Sequence, residues 1–129
     1  MNRILIDTHV FLWFIADHPR LSRSHRSLIG DPTSDVSISL ASLWEISIKY
    51  SLGKLDLPRP PSQFLPDQLD LNALRIEALA PEHVYRVAEL PFVHRDPFDR
   101  LIAAQCLEED LPLLSVDPIF DAYGVRRIG

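Results

Sequence analysis

Arg3-Ile4-Leu5-Ile6-Asp7-Thr8-His9-Val10-Phe11-Leu12-Trp13-Phe14-Ile15 is the stretch that decides the fold. Ile4 to Ile6 is a short apolar run ending the segment that starts at Arg3, the pattern of a buried strand, and Thr8 to Ile15 continues with helical character. Asp7 therefore stands where a strand hands over to a helix. In an open α/β sheet the crevice outside the carboxyl ends of the strands is where ligands bind. The arrangement recurs near the other end of the chain, where Leu113-Leu114-Ser115-Val116 reads as a strand and Asp117 follows it.

Between these points strands and helices alternate. Leu21 to Ile29 reads as a helix ended by Gly30-Asp31-Pro32, Val36 to Ser39 as a short strand, and Leu40 onward as a helix stopping at Gly53. A proline-rich loop, Leu57 to Pro61, leads to a helix near Ser62 to Leu69; Leu74 to Leu79 reads as a strand and Pro81 to Leu90 as a helix opening on proline. A further helix runs from Pro97 through Leu107, and Val125 to Ile128 reads as an edge strand. The expected fold class is α/β: a mostly parallel central sheet with helices on both faces, in three layers, joined by right-handed crossovers. The expected organisation is one domain over residues 1–129, a length at which roughly two-thirds of the unfolded surface is buried.

Two more acids occupy awkward places. Glu45 lies in Leu40-Ala41-Ser42-Leu43-Trp44-Glu45-Ile46-Ser47-Ile48-Lys49, at the edge of an apolar stripe, and Asp99 shares a helix face with Ile102, Ala103 and Cys106. Each acid also has a purely structural reading. Asp7 can cap the following helix, Glu45 can complete a capping box with Ser42 or pair with Lys49, Asp96-Pro97-Phe98-Asp99 can be a cap with an acid in the first turn, and Asp117-Pro118 can open a turn. Their coincidence is what those readings leave unexplained. Two acids at strand ends and two on core-facing helix positions can converge on one crevice, where a hard divalent cation relieves the repulsion.

The same residues carry a resemblance. Ile6-Asp7-Thr8-His9 with Leu12-Trp13, then Ser39-Leu40-Ala41-Ser42-Leu43-Trp44-Glu45-Ile46, then His94 to Gln105, then Leu114-Ser115-Val116-Asp117 closely resemble the PIN-domain ribonucleases, in order from the first strand to near the last residue. The best match is to the VapC-type toxins of bacterial toxin–antitoxin pairs. The resemblance implies a PIN-like three-layer fold and a metal-dependent endoribonuclease in which Asp7, Glu45, Asp99 and Asp117 hold Mg2+ or Mn2+ and activate water for RNA cleavage. Asp99 takes the third role because Asp-Arg-Leu-Ile-Ala-Ala-Gln matches from that residue onward, leaving Asp96 as the cap. It further implies an RNA substrate, a cognate antitoxin whose amphipathic segment fills a groove near the first helix, and a homodimer. The alternative from another class is a catalytically silent PIN-fold binding module. A phosphoryl-accepting receiver is the weakest reading, lacking a convincing central acceptor Asp and having Arg126 and Arg127 where a lysine is wanted.

Composition sets bounds on these readings. The net charge of −5 runs against nucleic-acid binding by a basic field, although 11 of the 13 basic residues are Arg and Lys49, Lys54 and Arg100 are candidates for a local phosphate rim. Arg20, Arg23 and Arg26 cluster on or near the second helix. A single cysteine, Cys106, excludes a disulfide framework and reads as a small buried apolar residue. No apolar run approaches the roughly 20 residues of a membrane span, nor a signal peptide at the start, so the expected location is the cytoplasm, with no membrane partner. His9 and His94 flank motif acids, with His94 placed to position the loop before Asp99; His18, His25 and His83 read as surface residues. With four glycines and no glycine-rich phosphate loop, nucleotide-driven chemistry is not expected.

Overall fold

In the computed structural model, which describes residues 2–129, the five strands form one sheet in the order β3-β2-β1-β4-β5, and every neighbouring pair is parallel. The strands are β1 (Asn2–Ile6), β2 (Ser34–Ser39), β3 (Arg75–Glu77), β4 (Leu113–Leu114) and β5 (Arg127–Ile128). The helices are α1 (Thr8–Ile15), α2 (Arg23–Gly30), α3 (Leu40–Ser51), α4 (Pro61–Leu71), α5 (Pro81–Arg86), α6 (Pro97–Glu109) and α7 (Ile119–Ala122). Winding runs from β1 outward through β2 to β3, then resumes on the other side with β4 and β5. The winding therefore reverses between β1 and β4, and a topological switch point of this kind opens a crevice at the carboxyl ends of the two strands.

Period-two alternation along the central strands divides the core between the two faces of the sheet. Ile4 and Ile6 of β1 join Val36 and Ile38 of β2 and Leu114 of β4 against Val10, Phe11, Leu21, Ile29, Leu65 and Leu69 from α1, α4 and the α2 region. Leu5 and Leu113 point the other way, into a cluster with Ile102, Ala103, Ala104, Cys106, Phe120 and Val125 around α6 and α7. Helix α3 serves both, through Ile46 and Ala41 respectively. The small residues Ala103 and Ala104 have no exposed surface in this cluster. Truncating Leu5, which has no exposed surface, leaves a cavity between β1 and α6. Leu5→Ala is expected to cost about 2–5 kcal/mol, read as a lower urea midpoint at unchanged m-value.

Several boundaries fall short of the sequence reading, always for a local reason. Helix α2 starts at Arg23 because Ser22 caps it, its side chain accepting from the His25 N–H. The helix expected over 81–90 relaxes after Arg86 into a 3-10 turn, Val87–Glu89. Strands β3, β4 and β5 are shorter than the apolar runs that announce them, since a strand extends only where a neighbour pairs with it. The one-turn helix α7 carries too little sequence to show a period. His25 and His83 are buried rather than on the surface. His83 Nδ1 accepts from the Ala80 N–H at 2.9 Å, which leaves the ring proton on Nε2 to donate to Glu109 Oε1 at 2.8 Å and ties α5 to the end of α6.

Candidate active site

Asp7 leaves β1 beside β4 and is buried. It caps α1: Oδ1 accepts from the Val10 N–H at 2.8 Å, and Oδ2 accepts from the hydroxyl of Ser115, one residue past β4. The Ser115 oxygen in turn accepts from the Asp117 N–H at 3.1 Å. One hydroxyl thus joins the two strand-end acids across the switch point. Asp117 itself is exposed, with Oδ1 accepting from the Ile119 N–H at 3.0 Å in the turn that opens α7.

Glu45 reaches the same crevice from α3. That helix is capped by Ser39, whose hydroxyl accepts from the Ala41 N–H, so the capping box anticipated with Ser42 is not the one used. Thr8 Oγ1 lies 2.8 Å from both Glu45 Oε1 and Ser42 Oγ, and its single proton serves one of them at a time. Lys49, one turn on, binds Glu45 Oε2 at 2.7 Å. Glu45 is consequently buried but doubly partnered.

Asp99 enters from the first turn of α6. Asp96 is the N-cap, accepting from the Phe98 and Asp99 N–H groups, and Pro97 occupies the first helical position. The Asp99 carboxyl is pushed up to about 7, first by burial and then by the charges of Asp96, Glu45, Asp7 and Asp117. Asp7 is also raised, mainly by burial, with Asp117 adding to it against the lowering hydrogen bonds from Ser115 and Val10. Asp99 therefore feels all three of the other acids singled out in the sequence, and Asp7 feels Asp117. Among the described residues, no three Asp, Glu, His or Cys side chains are gathered closely enough to ligate one ion. Asp7 and Glu45 are instead turned onto protein donors, although each carboxylate oxygen keeps a lone pair beyond the bonds it accepts here.

A family model described as PIN domain matches residues 4–125. The chain belongs to the PIN domain family. Ribonuclease VapC16 of Mycobacterium tuberculosis is 39% identical over 56 residues, a match that spans 40% of this chain and 40% of that protein. Among solved structures, VapBC2 from Rickettsia felis, bound to a DNA fragment from its promoter, superposes with a TM-score of 0.70 at 18% identity, covering 98% of this chain and 97% of that one. FitAcB from Neisseria gonorrhoeae gives 0.67 at 21% identity, covering 98% and 96%, and VapBC-1 from nontypeable Haemophilus influenzae 0.63 at 14%, covering 98% and 96%. At these identities the structures show the fold.

Within this PIN domain two of the three basic residues expected at a phosphate rim are committed elsewhere, and Lys54 is exposed past the end of α3. Lys49 is held by Glu45, and Arg100 is buried, its guanidinium donating to the carbonyls of Val87 and Pro91 at 3.0 Å and lying 4.8 Å from the Phe92 ring. Arg100 thereby fixes the loop that leads to α6, and His94 Nδ1 adds to this by accepting from the Asp96 N–H. His9 is exposed, with its ring 6.2 Å from that of Trp13. Cys106 is buried, and burial pushes its thiol up to about 12, as befits a packing residue. The residues that sequence reasoning passed over are Ser115 and Thr8. Both stand inside the motif segments, and the only available signal was a hydroxyl within two residues of a strand-end acid.

Proposed function

We propose that this chain is a metal-dependent endoribonuclease, the toxin of a toxin–antitoxin pair, built as one PIN domain and acting in the cytoplasm. The observation that supports the reading is the coupling of Asp99 to Asp7, Glu45 and Asp117 near the β1/β4 switch point: its carboxyl is raised to about 7, first by burial and then by these acids and Asp96. The donor set fits a hard divalent cation, Mg2+ or Mn2+: it is all carboxylate oxygen, offers no soft ligand, and is under mutual repulsion that a cation relieves. Asp7, Glu45, Asp99 and Asp117 would hold it. When bound, such an ion supplies charge neutralisation at the scissile phosphate and acidifies the attacking water.

The chain's own part is positioning. Ser115 fixes the rotamer of Asp7 and ties it to the Asp117 backbone, while Thr8 and Lys49 hold Glu45 from either side. Asp99 carries a proton for part of the time near neutral pH, so metal affinity should rise with pH up to about 7 as that proton is released. The similar structures solved as VapBC2, FitAcB and VapBC-1 support an antitoxin partner, and a mostly apolar groove of about 470 Å3 between α1, α4 and residues 55–58 offers a place for its segment. Trp13, Ile15, Leu57 and Phe64 line that groove. A homodimer is part of the same reading.

The test is RNA cleavage by the purified chain with Mg2+, with Mn2+ and with EDTA. Cleavage that needs the divalent ion, and that an antitoxin segment suppresses, is the expected result. No cleavage of any RNA in either metal would sink the nuclease reading in favour of a silent binding module.

A further inference from the structure

Three of the four crevice acids are preceded by a large, at least partly exposed apolar residue: Trp44 before Glu45, Phe98 before Asp99 and Val116 before Asp117. Glu45 is buried, yet Trp44, the next residue back and so turned about 100° around the helix, is 56% exposed; Val116 is 43% exposed. The Trp44 indole is not free to wander. It packs against the Phe98 ring with centroids 5.1 Å apart and planes at 80°, an edge-to-face contact that bridges α3 and α6. An edge-to-face partner orients an indole while leaving its remaining surface open.

The distribution of charge says what that surface is for. The chain carries a net charge of −5, and the basic side chains of the segments that bear the acids are spent on internal partners: Arg3 on Glu77, Lys49 on Glu45, Arg100 on two carbonyls. Among the described residues of those segments, Arg95 alone has no such partner. With Arg95 and, past the end of α3, Lys54 as the exposed basic side chains left near these acids, neutralising phosphates is a limited means of holding a polyanion at this crevice. Stacking of bases on aromatic faces is the other general means of holding a single strand, and it demands an exposed, oriented aromatic ring beside the scissile position.

We propose that Trp44, held edge-on by Phe98 at the rim of the acid crevice, is a stacking platform for a nucleobase of a single-stranded RNA substrate. The proposal rests on the reading of the crevice as a ribonuclease site. It makes Trp44 a substrate-binding residue and Phe98 its positioning residue. Binding is then carried by bases more than by phosphates, and its salt dependence is shallow: a slope of log affinity against log salt no steeper than about −2, against about −0.7 for each phosphate neutralised on a single strand.

The experiment follows tryptophan fluorescence while oligouridylate, oligoadenylate or an abasic oligomer of the same length is added, to the wild type in EDTA and to Asp99→Asn in Mg2+, so that the RNA stays intact. Quenching by the base-bearing oligomers, absent with the abasic one and absent in Trp44→Phe, which retains only Trp13, is expected. Trp44→Ala should weaken binding and raise KM roughly tenfold with kcat little changed, and Trp44→Phe should recover most of that loss. Equal response to the abasic oligomer, no quenching in either condition, a steep salt slope or an unchanged KM in Trp44→Ala would each overturn the platform. So would a fluorescence change that follows protein concentration alone together with a Trp44→Ala protein that falls from dimer to monomer by light scattering, since the ring would then join two copies. Base-dependent quenching by a wild type that cleaves nothing sinks the nuclease reading and leaves the platform standing. Cleavage with KM indifferent to Trp44 does the reverse.

Discussion

Asp99→Asn is expected to abolish RNA cleavage while making the folded chain more stable at neutral pH. In the fold, the Asp99 carboxyl is raised from 3.8 to about 7 by burial and by four neighbouring carboxylates. Folding therefore favours its protonated form. The associated stability is fully present below the unfolded value of 3.8 and is lost as pH rises through about 7. Felt in full, such a shift is worth roughly 4 kcal/mol, and the partial exposure of the group reduces this to about 2 kcal/mol. An acid in the first turn of α6 also gains from the helix dipole, and losing that returns about 0.5 kcal/mol, so the net gain for the amide above pH 7 is about 1–2 kcal/mol. At pH 4 the two proteins should melt alike. Urea titrations at pH 4 and pH 8 make the comparison, beside an assay in which cleavage falls at least 10²- to 10³-fold, as when an electrostatic contact to the transition state is removed. A variant that cuts at the wild-type rate would withdraw Asp99 from the site. One that is less stable at pH 8 would mean that the first-turn role of the acid outweighs its repulsion.

Much of this arrangement is legible in the sequence, and particular residues show why. Ile4-Leu5-Ile6 and Leu113-Leu114 are central strands buried on both faces, so they read as unbroken apolar runs and the acid after each marks a strand end. The α6 cap was legible because Asp-Pro-x-Asp has few other uses. What could not be read was set by tertiary partners. His25 and His83 look like surface residues until the Ala80 N–H and Glu109 are placed around His83. Arg100 looks like a phosphate ligand until the carbonyls of Val87 and Pro91 are brought beneath it. Ser39 and Ser42 are equally good caps in sequence, and only the point where β2 stops pairing with β3 selects Ser39. Several structural readings of the acids also proved compatible with the shared crevice. Asp7 caps α1, Glu45 pairs with Lys49 and Asp117 opens a turn while all three contribute to one electrostatic cluster.

Ser115 is where that double use is most exposed to mutation. Its hydroxyl has no solvent-exposed surface, donates to Asp7 and accepts from the Asp117 N–H, so one atom holds the two strand-end acids in register across β1 and β4. Ser115→Ala leaves the buried Asp7 carboxylate short of a donor and the Asp117 N–H without its acceptor. Unmaking such bonds costs about 1–3 kcal/mol, and because the hydrogen bond from Ser115 is the largest of the influences that lower Asp7 against its burial, Asp7 should titrate higher in the variant. The stability loss should therefore be larger at pH 8 than at pH 4, opposite in sign to the effect of Asp99→Asn. Loss of a group that orients a metal ligand lowers metal affinity by roughly 10- to 100-fold, so the Mg2+ or Mn2+ concentration for half-maximal cleavage should rise by that factor while the rate at saturating metal largely recovers. The metal titration separates the two roles of the hydroxyl. A variant that loses stability but keeps its metal midpoint would make Ser115 a strand-end brace and nothing more, whereas a shifted midpoint, with the folded fraction held constant by working well below the melt, would place it in support of Asp7.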